Sequence, residues 1–153
     1  MFNLFKKKEL FTAVVSGIIT PLEKVKDPVF SQKMMGDGFA IVPTDKIIYA
    51  PMSGTITVCF PTKHAVGMKL NNGVEVLIHI GIDTVNLAGE GFKLFVEQGQ
   101  VIKQGTPLVE IDIDLIKSRG YDSTVMILFP NKDIKLGELS KNIEANQSIA
   151  VEF

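Results

Sequence analysis

Two histidines, His64 and His79, flank Asn71-Asn72-Gly73 in FPTKHAVGMKLNNGVEVLIHIGIDTVN, residues 60–86. Asn-Gly between alternating apolar residues is the strongest short signal for a β-hairpin. A two-residue loop at Asn72-Gly73 would set His79 opposite Val66, with His64 diagonal to it. A loop at Asn71-Asn72 would set the two histidines directly opposite. Either register places both rings on one sheet face, because side chains alternate with period two. The Cβ atoms would then lie roughly 5 to 8 Å apart, within mutual reach of two imidazoles.

That pairing suits group transfer. A neutral imidazole can attack phosphorus, and its ordinary pKa of about 6.5 leaves it largely unprotonated at neutral pH. A second imidazole N–H beside it can hydrogen-bond phosphoryl oxygens, and such positioning is most of what a protein supplies to a loose phosphoryl-transfer transition state. Thr62 precedes His64 by two residues, so if the strand extends that far its hydroxyl shares that face and can fix a tautomer or bond an oxygen. Two blander readings stay open from the residues alone. Paired histidines can be packed and hydrogen-bonded for structure only. They can also be part of a metal site, with Asp37 or Asp83 as a third ligand. Val76, Ile78 and Ile80 should face a core. In either register Val66, Met68, Leu70 and Leu77 share the histidine face, so alternation does not say which side is wet. An apolar surround fits a protein-docking surface as well as a buried sheet.

The elements that must position these residues are strands. Thirteen glycines and seven prolines punctuate short runs rich in Val, Ile, Thr and Phe, which is an all-β rhythm. Strands are predicted at 12–15, 18–20, 39–42, 47–49, 55–60, 65–70, 75–80, 107–113 and 124–128, with 149–152 closing the chain. Helix is scarce. Asp27-Pro28 reads as an N-cap followed by proline at the first helical position, leading into 29–34, and 114–118 reads as a second short turn. Val15-Ser16-Gly17-Ile18-Ile19-Thr20 echoes Met52-Ser53-Gly54-Thr55-Ile56-Thr57, with Gly105-Thr106-Pro107 a looser third copy, which suggests a duplicated β-motif. The fold class expected is a compact antiparallel β-sandwich or barrel with a duplicated hairpin motif and very short helices.

Length and charge narrow the function. A chain of 153 residues suits one domain, expected over 11–153 after a leader of residues 1–10. Sixteen basic and 17 acidic residues give a net charge of −1, with no footprint for nucleic acid. Cys59 is the one cysteine, which suits a reducing, cytoplasmic setting. No apolar stretch reaches the ~18–20 residues that cross a bilayer. The leader, MFNLFKKKEL, lacks the long apolar region of a secretory signal. It could still lie in a membrane interface, with Phe2 and Phe5 buried and Lys6, Lys7 and Lys8 beside anionic headgroups, or it could be a frayed terminus. There is no GxxxxGK[ST] loop to cradle ATP phosphates.

Four segments, in order and spacing, identify a resemblance over about residues 15–153. They are Lys33-Met34-Met35-Gly36-Asp37-Gly38-Phe39-Ala40, Pro61-Thr62-Lys63-His64-Ala65, His79-Ile80-Gly81-Ile82-Asp83-Thr84-Val85 and Gly89-Glu90-Gly91-Phe92. The chain resembles the glucose-family IIA component of the bacterial phosphoenolpyruvate-dependent sugar phosphotransferase system. The resemblance implies a phosphoryl carrier in which His79 takes the group from the phosphocarrier protein HPr and passes it to a cysteine of a IIB domain. It makes His64 the supporting imidazole and Thr62 the nearby hydroxyl. It places Asp37 and Asp83 beside the site, facing basic residues of partners. Phe39, Phe60, Leu77 and Val85 match apolar positions of the family's docking depression. No cofactor is obligatory, and zinc held by His64, His79 and a partner's ligand is a further option. Cys59 reads as core, and the chain carries no IIB motif, so separate partners are expected.

A carrier domain of another kind competes with this reading. Ala50-Pro51-Met52-Ser53-Gly54-Thr55-Ile56 resembles the opening of biotinyl and lipoyl domains, and residues 98–108 resemble their middle. No Met-Lys-Met follows, so the likeness reads as shared β-architecture. A two-histidine metal-binding protein is the other alternative.

Overall fold

The computed structural model describes residues 9–137 and 141–153. The first eight residues of the expected leader lie outside them. Glu9 already belongs to the folded body, since its carboxylate accepts the hydroxyl of Ser53 at 2.7 Å.

Among the described residues there are strands β1 (Gly17–Pro21), β2 (Asp37–Pro43), β3 (Ile47–Tyr49), β4 (Gly54–Cys59), β5 (Ala65–Leu70), β6 (Glu75–Ile82) and β7 (Phe92–Leu94). They continue with β8 (Val101–Ile102), β9 (Pro107–Ile111), β10 (Asp122–Phe129), β11 (Lys135–Leu136), β12 (Asn142–Ile143) and β13 (Val151–Glu152). The helices are short, α1 (Pro28–Ser31) and α2 (Ile113–Ser118), with 3-10 turns at Leu22–Lys24 and Thr84–Leu87. The all-β antiparallel expectation holds. An eight-stranded sheet runs β12-β1-β2-β10-β6-β5-β4-β8, beside a three-stranded sheet β3-β9-β7 and a pair β11-β13.

The echo seen in the sequence is a duplication in the backbone. The two Ser-Gly pairs open β1 and β4, each one strand in from an edge of the large sheet. Ahead of β1, Ala13 donates to the Gln147 carbonyl and accepts from Asn146. Ahead of β4, Ala50 donates to the Thr106 carbonyl and accepts from Gly105 in the same way. The third copy, at residues 105–107, is therefore a partner of the second rather than a repeat of it.

Several boundaries move for local reasons. Asp27 caps α1 as expected, its carboxylate accepting from the Val29 N–H at 3.0 Å. The helix stops at Ser31 rather than Met34, and Lys33 has already turned left-handed at φ 59°. Asp112 caps α2 through the Leu115 N–H, which ends β9 at Ile111 and starts the helix at Ile113. Residues 12–15 are not a strand. Thr12 makes one bridge to Ser148, and Ala13, Val14 and Val15 are buried where the chain bends into β1. Of the expected closing strand only Val151–Glu152 remains, while Ile149 is tied to the Phe11 carbonyl. The sequence reading missed the two- and three-residue strands β7, β8, β11 and β12, which are too short to show a period.

Period two sorts the large sheet into two faces. Phe39, Ile41, Val66, Met68, Val76, Ile78, Ile80, Val125, Ile127 and Phe129 pack against Ile48, Val109 and Ile111 of the small sheet. This is the sandwich core, and each fully buried side chain of this size contributes about 1.5–3 kcal/mol. On the other face Leu22, Val25 and Phe30 cover Ala40, Met126 and Leu128 in a second, smaller cluster.

Candidate functional site

The histidine hairpin forms, but in neither expected register. Lys69 pairs with Glu75 and Ala65 with His79, leaving Asn71, Asn72 and Gly73 as a three-residue loop. Gly73 takes φ 90°, the left-handed position that such loops place after a type I turn, and the Asn72 side chain accepts from the Val74 N–H. This shift of one residue settles the ambiguity left by alternation. Val66 and Met68 lie opposite Ile78 and Val76 on the core face, not on the histidine face. The histidine face presents the row Ala40, Met126, His79, Ala65 across four strands.

Strict alternation in this register would send His64 into the core beside Ile80, whose N–H donates to the His64 carbonyl at 2.7 Å. Instead the His64 ring lies against His79, with centroids 5.0 Å apart and planes nearly perpendicular at 80°. His64 sits on a bend ahead of β5, and the preceding Lys63 has φ 60°. The expected juxtaposition therefore stands for a different reason. It comes from a left-handed bend and not from hairpin parity.

Each ring is held by its Nδ1 atom. His79 Nδ1 lies 2.9 Å from the Gly81 carbonyl oxygen. A carbonyl only accepts, so Nδ1 carries the proton of the neutral ring and Nε2 carries the lone pair. Gly81 has φ 81°, and an added Cβ there would fall 2.3 Å from the Thr84 side chain and 2.8 Å from the Asp122 carbonyl. Only glycine presents its carbonyl to His79 in this way. His64 Nδ1 lies 2.6 Å from Thr62 Oγ1, although the strand does not extend back to Thr62, which sits in the turn ahead of β5.

Burial keeps both rings neutral. It pushes the His79 pKa down to about 4, helped by the neighbouring His64 and opposed by the Gly81 bond and the charge of Asp27. Burial likewise lowers His64, which is 6% exposed.

The surroundings divide the other expected residues. Phe60 stacks near His64 at 5.4 Å and is 36% exposed. Leu77 lies two residues from His79 on the same face and packs against the small cluster. Val85 is exposed on the turn after β6. Asp83 is exposed, left-handed at φ 61°, and makes no side-chain cap bond, so its carboxylate is free to solvent. Phe60 and Leu77 border the histidines, while Asp83 and Val85 lie on the exposed turn that leaves β6. Phe39 and Asp37 lie elsewhere. Phe39 is completely buried in the sandwich core, 6.1 Å from Phe11, and has no surface to offer a partner. Its odd position in β2 turns it to the face opposite His79. Asp37 lies three residues along β2 from the histidine row, about 10 Å at ~3.3 Å per residue. Its carboxylate accepts from the N–H groups of Gly38 and Ile134 and pairs with Lys33 at 3.2 Å. Burial raises its pKa, but these bonds outweigh burial and hold it below the usual value. It is a structural hook. Cys59 is half-buried against the sandwich core, its thiol pushed up chiefly by burial, in keeping with a packing role.

Two residues at the site were missed. The Phe30 ring lies 4.8 Å from His79. The Asp27 carboxylate is near enough to act on that ring's charge. Asp27 showed in the sequence only as a helix cap. Its approach to a histidine fifty-two positions away depends on the segment Leu22–Met35 folding over the sheet. Asp27, rather than Asp37, is the acid whose charge acts on His79, and Asp83 stands exposed on the turn after β6. No group of three or more metal-ligating side chains occurs among the described residues. No described helix is long and apolar enough to cross a membrane.

Comparison with known proteins gives one consistent answer. The phosphoenolpyruvate-dependent sugar phosphotransferase system EIIA 1 family matches residues 9–134. The glucose-specific EIIA component of Halalkalibacterium halodurans is 46% identical over 127 residues, covering 83% of this chain and 73% of that protein. The glucose-specific EIICBA component of Streptococcus pneumoniae is 48% identical over 130 residues, covering 84% of this chain. This chain spans only 18% of that longer protein. The solved glucose permease IIA of Mycoplasma capricolum superposes with a TM-score of 0.81 at 35% identity, over 99% of this chain and 98% of that one. None of these favours a biotinyl or lipoyl carrier or a two-histidine metal-binding protein. The chain belongs to the EIIA 1 family of the phosphoenolpyruvate-dependent sugar phosphotransferase system.

Proposed function

We propose that this chain is a cytoplasmic phosphoryl carrier in sugar uptake. His79 Nε2 accepts a phosphoryl group from phospho-HPr and passes it to a cysteine thiolate of a IIB domain in a sugar permease. One observation carries this reading: two neutral imidazoles 5.0 Å apart, each held at Nδ1 by a neighbour, with Nε2 uncommitted among the described residues. The Nε2 lone pair of His79 attacks phosphorus as the N–P bond of the donor histidine breaks. The Gly81 carbonyl retains the Nδ1 proton, so the phosphorylated ring is cationic and remains a good leaving group for the thiolate. A Thr62 hydroxyl donating to His64 Nδ1 leaves the His64 Nε2–H to bond a phosphoryl oxygen. Asp27, Asp83 and the apolar rim of Phe60, Leu77 and Val85 suit a partner with basic residues around an apolar patch.

The names of the relatives point to glucose as the sugar, whose choice lies with the permease. Zinc is not required. The two rings fit it as neutral nitrogen ligands, and a partner would complete the set. Residues 1–10 would touch the anionic membrane surface near the permease through Lys6, Lys7 and Lys8.

The test is phosphorylation by phosphoenolpyruvate, enzyme I and HPr, with peptide mapping. The expected product is an acid-labile, base-stable phosphate on His79, absent from His79→Ala. Normal uptake by His79→Ala would refute the assignment. His64→Gln should still accept phosphate but transfer it to IIB about a hundredfold more slowly, the order expected for losing one oriented donor.

A further inference from the structure

We infer that Lys63 is a positioning residue for His64, acting through its left-handed backbone and not through its charge. Three observations meet at this residue. The hairpin register assigns His64 to the core face, yet its ring lies on the opposite face against His79 and Phe60. The break from alternation falls directly after Lys63, one of five non-glycine residues with positive φ among those described. The bend is tight, with the Lys63 N–H donating to the Phe60 carbonyl at 2.8 Å and the Phe60 N–H to the Ala65 carbonyl.

The bend also has a seat. A Cβ added to Gly89 would lie 3.9 Å from Lys63 Cδ and 4.0 Å from the Thr62 carbonyl oxygen. The lysine stem and the Thr62 backbone therefore run alongside Gly89. The next residue, Glu90, is drawn to the guanidinium of Arg119, at the end of α2. Glu90 is thus committed elsewhere, and no carboxylate lies within ion-pair distance of the Lys63 ammonium among the described residues. The contact that Lys63 makes is one of chain path and not of charge. Left-handed backbone is disfavoured for a side chain with Cβ, is tolerated by asparagine and glycine, and is worst for β-branched residues. The identity of residue 63 thereby sets how firmly His64 is turned toward His79.

The test compares Lys63→Asn, Lys63→Gly and Lys63→Val in the full chain. The imidazole nitrogen resonances of His64 report its hydrogen bond to Thr62. Transfer from phosphorylated His79 to IIB reports its function, and that arm rests on the carrier reading above. Asn and Gly should keep the native His64 spectrum and transfer within about twofold of wild type, because both accept positive φ. Val should displace the His64 resonances and slow transfer about a hundredfold, the order expected for an ångström of misplacement, with phosphate uptake by His79 largely kept. If Val does not fold, Lys63→Thr, which is also β-branched but polar, should show the displacement. The inference is overturned if Asn and Gly lose as much as Val, which would assign the role to the ammonium. It is equally overturned if Val, or Thr in its place, leaves the His64 spectrum native. Should wild-type protein take no phosphate from HPr, the carrier reading fails, and the spectra still decide the placement of His64.

Discussion

On one face of the eight-stranded sheet, Phe39, Ile78, Val125 and Phe129 are sealed by a second sheet. On the other, the segment Leu22–Met35 lies over Ala40 and Met126, and His79, next in the row, stays partly exposed. The first face joins residues from both ends of the chain and includes the aromatic group Phe11, Phe129 and Phe153. The second holds six buried side chains and ends at Phe30, beside His79. One face has apolar partners on all sides and supplies stability. The other is thick enough to desolvate an imidazole but leaves its edge to partners. A site that must meet one protein after another needs this kind of half-closed face, because a sealed one could not be reached.

This contrast can be broken by matched substitutions. Phe129→Ala should cost about 4 kcal/mol in denaturant unfolding, as expected for an aromatic deleted from a sealed core. Phe30→Ala should cost less, about 2 kcal/mol, because the thin cluster can collapse and water can enter. Equal losses would erase the distinction between the faces. Phe30→Ala should also raise the His79 pKa from about 4 toward its ordinary 6.5, followed by imidazole titration. An unchanged titration would assign the burial of His79 to another group.

The pH dependence of stability sharpens the same point. His79 is neutral in the folded chain down to about pH 4, whereas an unfolded histidine protonates near 6.5. Between these values the unfolded chain binds more protons, so stability should be full above about pH 6.5 and fall as pH drops toward 4. His79→Ala should flatten the part of this slope that belongs to His79. A slope unaltered by that substitution would mean that carboxylates alone produce it. The smallest expected effect is on Asp37. Asp37→Asn should cost about 1–2 kcal/mol through its bonds to Gly38, Ile134 and Lys33. It should leave phosphate transfer unchanged, as a hook outside the site. Slowed transfer would return Asp37 to the docking surface.

Much of this was legible in the chain because it is local. Asp27-Pro28 caps α1, Asn-Gly closes the hairpin, and Val-Ile-Phe runs between Gly and Pro make strands. What failed was anything that turned on one residue of register. Asn71-Asn72-Gly73 supports two- and three-residue loops alike, and each step exchanges the faces of a whole strand. Val66, Met68 and Leu70 were placed on the wrong face for that reason. Phe39 was assigned to the rim because a motif reports which residues recur together and not which way each points. Asp37 stands in the dense motif and so reads as a site acid, whereas Asp27 reads only as a helix cap and reaches His79 only across the fold.

The sequence by itself determined the chemistry available. It supplies two imidazoles, a threonine two residues before one of them, a glycine two residues after the other, and strands to carry them. Tertiary structure decided the rest. It turned His64 off its ladder at a left-handed Lys63, brought Phe30 over His79, and set Asp27 beside it. Types and spacings are properties of the chain, whereas burial, pKa and facing direction arise from segments far apart in sequence that meet only when the sheet has formed.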